Sequence, residues 1–105
     1  MRFGTGSLQG RLVTDHIKIG NLTVQNYKFG IIESQQAMLD FFQFDAIVGM
    51  SYKLMAQAGV TPFFDALMQQ NLLKANVFTF IYSLTSPKLM IGQYPKLTDI
   101  KWYQV

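Results

Sequence analysis

Two runs of alternating apolar and polar residues on either side of Gly20-Asn21 constrain the fold of this chain more than any other feature. The first run, SLQGRLVTDHIKI, spans residues 7–19, and the second, LTVQNYKFGII, spans residues 22–32. Such alternation, rich in β-branched residues, is typical of strands that bury one face, and a Gly-Asn pair between the runs favours a tight hairpin turn. The sequence therefore predicts a long β-hairpin. The inward face of its second strand changes register near Gln25-Asn26, which indicates a β-bulge.

One helix is predicted, over about residues 61–71. Thr61 is a suitable N-cap, and Pro62 fits the first helical position because its missing N–H has no partner to lose there. Asp65 would lie in the first turn, and Asn71 is a typical residue at which a helix ends.

Short apolar runs predict the remaining strands. FDAIVGMSY at residues 44–52 has the pattern of a strand buried on both faces. The terminal strands are predicted over residues 77–105, as VFTFIYSL and KLMIGQY in a second hairpin and IKWYQV as a last strand. Residues 33–43 mix polar and aromatic side chains without a period, which predicts a surface loop or a short helical turn.

The chain is thus predicted to be mostly β, with a barrel-like or sandwich architecture and one short α-helix. Its 105 residues allow one domain at most. Both ends are predicted to stop within strands, whereas a domain usually ends in exposed, loosely held residues. We therefore expect the chain to be a piece of a larger protein.

Composition excludes several classes of function. The nine lysines and arginines are scattered singly, so the net charge of +3 forms no basic patch of the kind that nucleic acid requires. No apolar run is long enough to cross a membrane, and residues 1–20 carry charges where the apolar core of a signal peptide would lie. The absence of cysteine, with one glutamate and one histidine, leaves too few ligands for a metal site, and no cofactor is expected.

The opening FGTGS at residues 3–7 begins like a phosphate-binding loop, but it lacks the preceding strand, the following helix and the lysine that such a loop needs. A strand follows it instead. The sequence therefore predicts that this turn is the tip of a hairpin.

Three segments in one order carry a family resemblance: FGTGSLQGRLVTDHIKIGNL, FDAIVGMSY and GVTPFFDALMQQNLL. They resemble the pepsin-like aspartic endopeptidases, in which a Tyr-Gly-Thr-Gly-Ser flap precedes a Phe-Asp-Gly-hydrophobic-hydrophobic-Gly strand and then a Thr-Pro-capped helix. The resemblance covers essentially the whole chain, residues 1–105. It implies a partial pepsin-like lobe, the second half of the family's N-terminal lobe, with an acid-protease β-barrel-like fold.

By that resemblance, residues 3–7 are the tip of the flap that closes over a peptide substrate. Gly4 and Thr5 would offer backbone groups to the substrate, and glycine suits this contact because it has no side chain to block approach. The family usually has tyrosine where this chain has Phe3. Phe3 would keep the ring that walls the first specificity pocket but lacks the hydroxyl that anchors the closed flap.

The resemblance also implies a wall of the substrate cleft. Phe44 and Ile47 would line the first specificity pocket, and Met38 is a looser candidate because its loop matches the family poorly. Val48 and Gly49, with Ile47, match the element that braces a catalytic loop, where backbone packs against backbone. The alternative for these apolar side chains is that they fill a core.

No catalytic residue is expected within the chain. Aspartic proteolysis needs two carboxylates that share a proton about 3 Å apart, and in the resembled family each begins an Asp-Thr-Gly or Asp-Ser-Gly triplet. None of the five aspartates is followed by Thr-Gly or Ser-Gly: Asp15, Asp40, Asp45, Asp65 and Asp99. The triplets would lie upstream and downstream of these residues, and the retroviral type of dimeric protease is excluded for the same reason.

Two other candidates for chemistry are weak. Asp45 matches a family position outside the catalytic pair and is expected to be a surface or turn residue. His16 is the only imidazole, and a lone histidine on an alternating strand is expected to be packed or solvated rather than a ligand. No Gly-x-Ser-x-Gly motif supports a serine triad.

Asn21-Leu22-Thr23 is an acceptor sequence for N-linked glycosylation. Such triplets are frequent by chance, so Asn21 is a candidate site only.

The leading hypothesis is an aspartic endopeptidase in which this chain supplies the flap and part of the substrate wall and is inactive alone. The alternative is a non-catalytic peptide-binding or interaction remnant of the same fold, and a small nucleic-acid-binding β-domain is a distant third. The expected partners are a peptide or protein substrate, if the full enzyme exists, and the missing parts of the same protease domain. The resemblance implies a secreted, lysosomal or vacuolar location.

Overall fold

The computed structural model describes residues 2–3, 6–35, 43–56, 59–96 and 98–104. The chain divides into two compact units, Met1–Gln70 and Asn71–Val105. Strands dominate the described residues, which contain one short α-helix, as the sequence predicts.

The first unit is built on a three-stranded antiparallel sheet in the order β1-β2-β3. β1 is Arg2–Phe3, β2 is Gly6–Ile19 and β3 is Leu22–Gln35. Ile19 pairs with Leu22 beside the turn, and Gly20 there has a φ of 58°, a conformation that glycine adopts without steric cost. The predicted long hairpin is confirmed. Its second strand continues to Gln35, so Glu33–Gln35 belong to the strand rather than to the predicted loop.

The hairpin contains two breaks in register, between Gln9 and Gly10 and between Asp15 and Ile17. Opposite the second break, Asn26 has a φ of 49°, in the left-handed region that asparagine tolerates better than most residues. The register change predicted near Gln25-Asn26 is therefore confirmed as a bulge.

The helix, α1, is Phe63–Gln69, within the predicted range. Its N-cap is Pro62 and no side chain caps the first turn, so the cap predicted at Thr61 is placed one residue too early. Asn71, with a φ of 54°, follows the helix where the sequence predicts its end.

A small apolar core joins α1 to the hairpin. Its members are the four buried hydrophobic side chains of the described residues, Val24, Phe63, Ala66 and Leu67. The ring of Tyr27 on β3 packs edge-to-face with the ring of Phe63, with centroids 5.7 Å apart and an interplanar angle of 83°. This contact, together with burial of the helix face, fixes the helix against one face of β3.

The second unit is a short hairpin of β4, Phe78–Ile81, and β5, Lys88–Ile91. Gly92 extends it through hydrogen bonds to the backbones of Ala75 and Val77. The second predicted hairpin is therefore present, with shorter strands than the sequence suggests.

Two predicted strands do not form. Residues 44–52 contain no strand, and neither do residues 100–104, the described part of the last strand predicted as IKWYQV. A strand needs a neighbouring strand to accept and donate its ladder hydrogen bonds, and the described residues offer none to either segment. A 3-10 turn, Lys53–Met55, follows the first of them. None of the described helices is long and apolar enough to span a membrane.

Candidate functional site

Backbone pairing defines the end of the hairpin at which β1 meets β2. Phe3 pairs with Gly6, and Arg2 pairs with Ser7, so the chain reverses direction between β1 and β2. Gly4 and Thr5, the predicted substrate contacts at the tip, lie outside the described residues, and so does Met38. The reversal agrees with the sequence prediction that residues 3–7 form a hairpin tip.

Gly10 is a structural requirement of this hairpin that sequence analysis missed. A Cβ atom at this position would overlap the carbonyl oxygen of Ile31 on β3. The two backbones approach this closely at the first register break, beside Gln9. An isolated glycine within an alternating strand signals such an approach, so the position could have been recognised from the sequence.

One ion pair crosses the hairpin next to this break. The Arg11 Nε atom lies 2.9 Å from the Glu33 Oε1 atom, and both side chains are largely exposed. Because solvent screens an exposed pair, it contributes at most about 1 kcal/mol to stability.

The predicted wall residues lie in the segment 43–56. Phe44, Ile47 and Val48 have exposed fractions of 49%, 52% and 48%, so about half of each side chain is open to solvent. The close backbone packing predicted at Gly49 is absent among the described residues, because no described atom lies within 4 Å of where its Cβ would be. No described strand pairs with residues 43–56, and the apolar side chains of this segment therefore stay on the surface.

His16 has a structural role at the second bulge. The ring Nδ1 atom of His16 accepts a hydrogen bond of 3.3 Å from the backbone N–H of Asn26. The backbone N–H of His16 donates to Asp15 Oδ1 at 2.7 Å. The side chain thus satisfies a backbone donor that the bulge removes from the ladder. The His16 side chain is otherwise exposed, and the expectation that it is not a ligand stays a prediction.

Gln70, the C-cap of α1, joins the helix to the same bulge. Its Nε2 atom donates to the Gln25 carbonyl oxygen at 2.8 Å, and its Oε1 atom accepts from the Gln25 N–H at 2.9 Å. The side-chain amide therefore pairs with β3 as a strand residue would. Sequence analysis missed this contact because the partners are 45 residues apart and no local pattern links them.

Replacing Gln70 with alanine is expected to lower the free energy of unfolding by about 1–2 kcal/mol, because two hydrogen bonds to the backbone of one residue, Gln25, are lost. Urea unfolding measures this. Gln69→Ala is the matched control, since Gln69 is the exposed neighbour on the same helix, and we expect a change within about 0.5 kcal/mol. Equal effects of the two substitutions would show that the amide pair adds no stability.

A polar cavity of about 210 Å³ lies beside this amide pair. Its walls come from β3, from the residues before α1 and from the exposed end of the helix: Gln25, Asn26, Tyr27, Lys28, Gly59, Val60, Thr61, Ala66, Gln69 and Gln70. No carboxylate lines it. Burial raises the pKa of the Tyr27 phenol above its ordinary value of 10.0, so this hydroxyl stays protonated at neutral and acid pH.

The described residues gather no cluster of side chains that could hold a metal ion. No group of three or more histidine, cysteine, aspartate or glutamate side chains is gathered there. What the first unit does present is a long hairpin with a closed tip and a separate run of half-exposed apolar side chains.

Comparison with known proteins defines the class to which these features belong. The family model of the eukaryotic aspartyl proteases matches residues 1–96. The chain belongs to this family of aspartic endopeptidases, which act on peptide bonds.

Individual relatives give the same result. Cathepsin D of Gallus gallus is 39% identical over 98% of this chain. Pepsin A-5 of Mus musculus is 36% identical over 86% of it, and cathepsin E of Rattus norvegicus is 37% identical over 84%. The matched parts are 26%, 24% and 22% of these relatives, so the chain spans about a quarter of their length.

Proposed function

We propose that this chain serves an aspartic endopeptidase by supplying the flap and part of the wall of its substrate cleft. It corresponds in this proposal to the second half of the first lobe. The observation that carries the proposal is the hairpin closed by the Phe3–Gly6 pair, in a chain that belongs to the aspartyl protease family.

The flap acts by covering the substrate. A hairpin closed over the cleft excludes water from the reacting bond and strengthens the electrostatic interactions beneath it. In this proposal the backbone groups of Gly4 and Thr5 bind the backbone of the peptide. The Phe3 ring walls the first specificity pocket and offers no hydroxyl to anchor the closed flap.

The wall acts on the side chain of the substrate. Phe44 and Ile47 are half-exposed apolar side chains, and covering them with an apolar substrate side chain would remove further apolar surface from water. Met38 joins them in the proposal, while Val48 and Gly49 brace a loop that carries a catalytic aspartate in another part of the same protease domain. The partner is thus a peptide or protein with an apolar residue next to the cleaved bond.

The chemistry itself requires residues that these 105 do not include. One carboxylate must be ionised to activate water while the other stays protonated to polarise the carbonyl. No aspartate in the sequence begins an Asp-Thr-Gly or Asp-Ser-Gly triplet. We therefore propose that the chain alone hydrolyses no peptide bond, and that the missing triplets belong to other parts of the same protease domain.

A second candidate function, peptide binding without cleavage, is favoured by the same lack of Asp-Thr-Gly and Asp-Ser-Gly triplets in the sequence. A remnant of the fold that keeps the flap but no acid pair would bind a peptide without cleaving it. The relatives suggest where either form would act: we propose a secreted, lysosomal or vacuolar location, as the family resemblance implies.

One experiment separates the two functions. An antibody against residues 61–84, within the helix and the strand that follows it, captures the native protein from source-cell extract. The captured protein and the 105-residue chain are then incubated with a denatured protein substrate at acid pH. We expect the captured protein to cleave the substrate and the chain alone to leave it intact. If neither sample cleaves the substrate, the peptide-binding remnant is favoured. If the isolated 105-residue chain cleaves it, the proposal is overturned.

A further inference from the structure

We propose that Asn21, in the turn between β2 and β3, is an acceptor site for an N-linked oligosaccharide. The proposal does not depend on protease activity, but it rests on the secreted, lysosomal or vacuolar location proposed above, since such acceptors are used in proteins that enter the secretory pathway. It rests on the sequence at the turn, on the exposure of the asparagine and on the position of the turn within the hairpin.

The sequence condition is met at one asparagine only. The chain contains four, Asn21, Asn26, Asn71 and Asn76, and only Asn21 is followed two residues later by serine or threonine. The intervening residue is leucine, so no proline blocks recognition of the triplet. The other three asparagines serve as internal controls within the same chain.

Backbone conformation explains two of the other asparagines but not this one. Asn26 and Asn71 both have positive φ values, 49° and 54°, where asparagine is favoured over most residues. Asn21 does not have a positive φ, and the left-handed residue of its turn is Gly20. The turn itself therefore does not require an asparagine at position 21.

The side chain of Asn21 is free to carry a large group. It is exposed, and it has no hydrogen-bond partner in the part of the chain that the structure describes. At the adjacent Gly20, no described atom other than its chain neighbours lies within 4 Å of where a Cβ would be. Attaching a sugar to Asn21 would break no hydrogen bond of its side chain among the described residues.

The position of the turn keeps such a group away from the flap. Asn21 lies at one end of the hairpin and the Phe3–Gly6 pair at the other. The intervening strand β2 has 14 residues, which corresponds to about 45 Å of strand. An oligosaccharide at Asn21 is therefore compatible with peptide access to the flap.

The modification is a group transfer in which no atom is oxidised or reduced. The donor is an oligosaccharide linked to a polyprenyl pyrophosphate lipid, transferred by a membrane-bound oligosaccharyl transferase. The Asn21 Nδ2 atom attacks the anomeric carbon of the first sugar. A nitrogen–carbon bond forms, the bond from that carbon to the pyrophosphate oxygen breaks, and the amide loses one proton as the lipid pyrophosphate leaves.

The test is cell-free translation of the full 105-residue chain, fused to a cleavable signal sequence, in the presence of microsomal membranes. We expect one discrete decrease in gel mobility that peptide-N-glycosidase removes. Thr23→Ser should keep the shift, whereas Asn21→Gln and Thr23→Ala should each abolish it. Because transfer precedes complete folding, the readout does not depend on whether a variant is stable.

Asn26→Gln is the matched control, since Asn26 is an exposed asparagine of the same hairpin without an acceptor sequence, and this variant should keep the shift. An unshifted wild-type chain, beside a glycoprotein standard that does shift in the same reaction, would overturn the proposal. Persistence of the shift in Asn21→Gln would also overturn it.

Discussion

Replacing Gly10 with alanine is expected to lower the free energy of unfolding of the first unit by about 3 kcal/mol, because overpacking against backbone cannot be relieved by a side-chain movement. The added methyl group would overlap the carbonyl oxygen of Ile31, so β2 and β3 must separate at the first bulge. Urea unfolding measures the loss of stability. Amide hydrogen exchange measures the opening of the strands, with the fastest exchange expected at the end of the hairpin where β1 pairs with β2.

Gly30→Ala is the matched control for this prediction. Gly30 lies in the same hairpin and pairs with Leu12, but a Cβ there would have no described atom within 4 Å. We expect its stability to change by no more than about 0.5 kcal/mol. If Gly10→Ala were as stable as Gly30→Ala, the close approach of the two strands at Gly10 would be disproved.

Leu67→Ala is expected to cost about 3 kcal/mol of stability, because it removes a buried side chain and leaves a cavity. Leu67 has an exposed fraction of 0% and is one of the four buried apolar residues that hold α1 to the hairpin. A core this small has few side chains that can move to fill the space. The measurement is the urea midpoint at unchanged slope.

Leu54→Ala is the corresponding exposed substitution. Leu54 has an exposed fraction of 99% in the same unit, and its truncation should change stability by less than about 0.5 kcal/mol. A similar loss for both leucines would mean that α1 does not pack on β3 as described.

The long hairpin and the helix could be predicted because their signals are local. Alternating side chains around Gly20-Asn21 specify two strands and the turn between them, and the segment after Pro62 has helical periodicity. The prediction of a strand at residues 44–52 was wrong because a strand also depends on a non-local partner. An apolar run shows that a segment is suited to burial, but a strand exists only where a neighbour supplies the ladder.

The features of the candidate site also differ in whether a local sequence signal predicts them. The closed tip at Phe3 and Gly6 follows from the motif, and the bulge at Asn26 follows from a shift in the apolar pattern. The need for a residue without a Cβ atom at position 10 could have been predicted from a glycine inside an alternating strand, but it was not recognised. The amide pair of Gln70 with Gln25 could not be predicted, since it depends on how the end of the helix meets a bulge 45 residues earlier in the chain.

The mass of the native protein tests the central claim most directly. The claim is that these residues supply the flap and the wall to an aspartic endopeptidase whose two catalytic triplets lie elsewhere in the same polypeptide. An immunoblot of source-cell extract with the antibody against residues 61–84 should show a band far above 12.0 kDa, the mass of this chain. A single band at 12.0 kDa would contradict the claim and leave a protein without an acid pair.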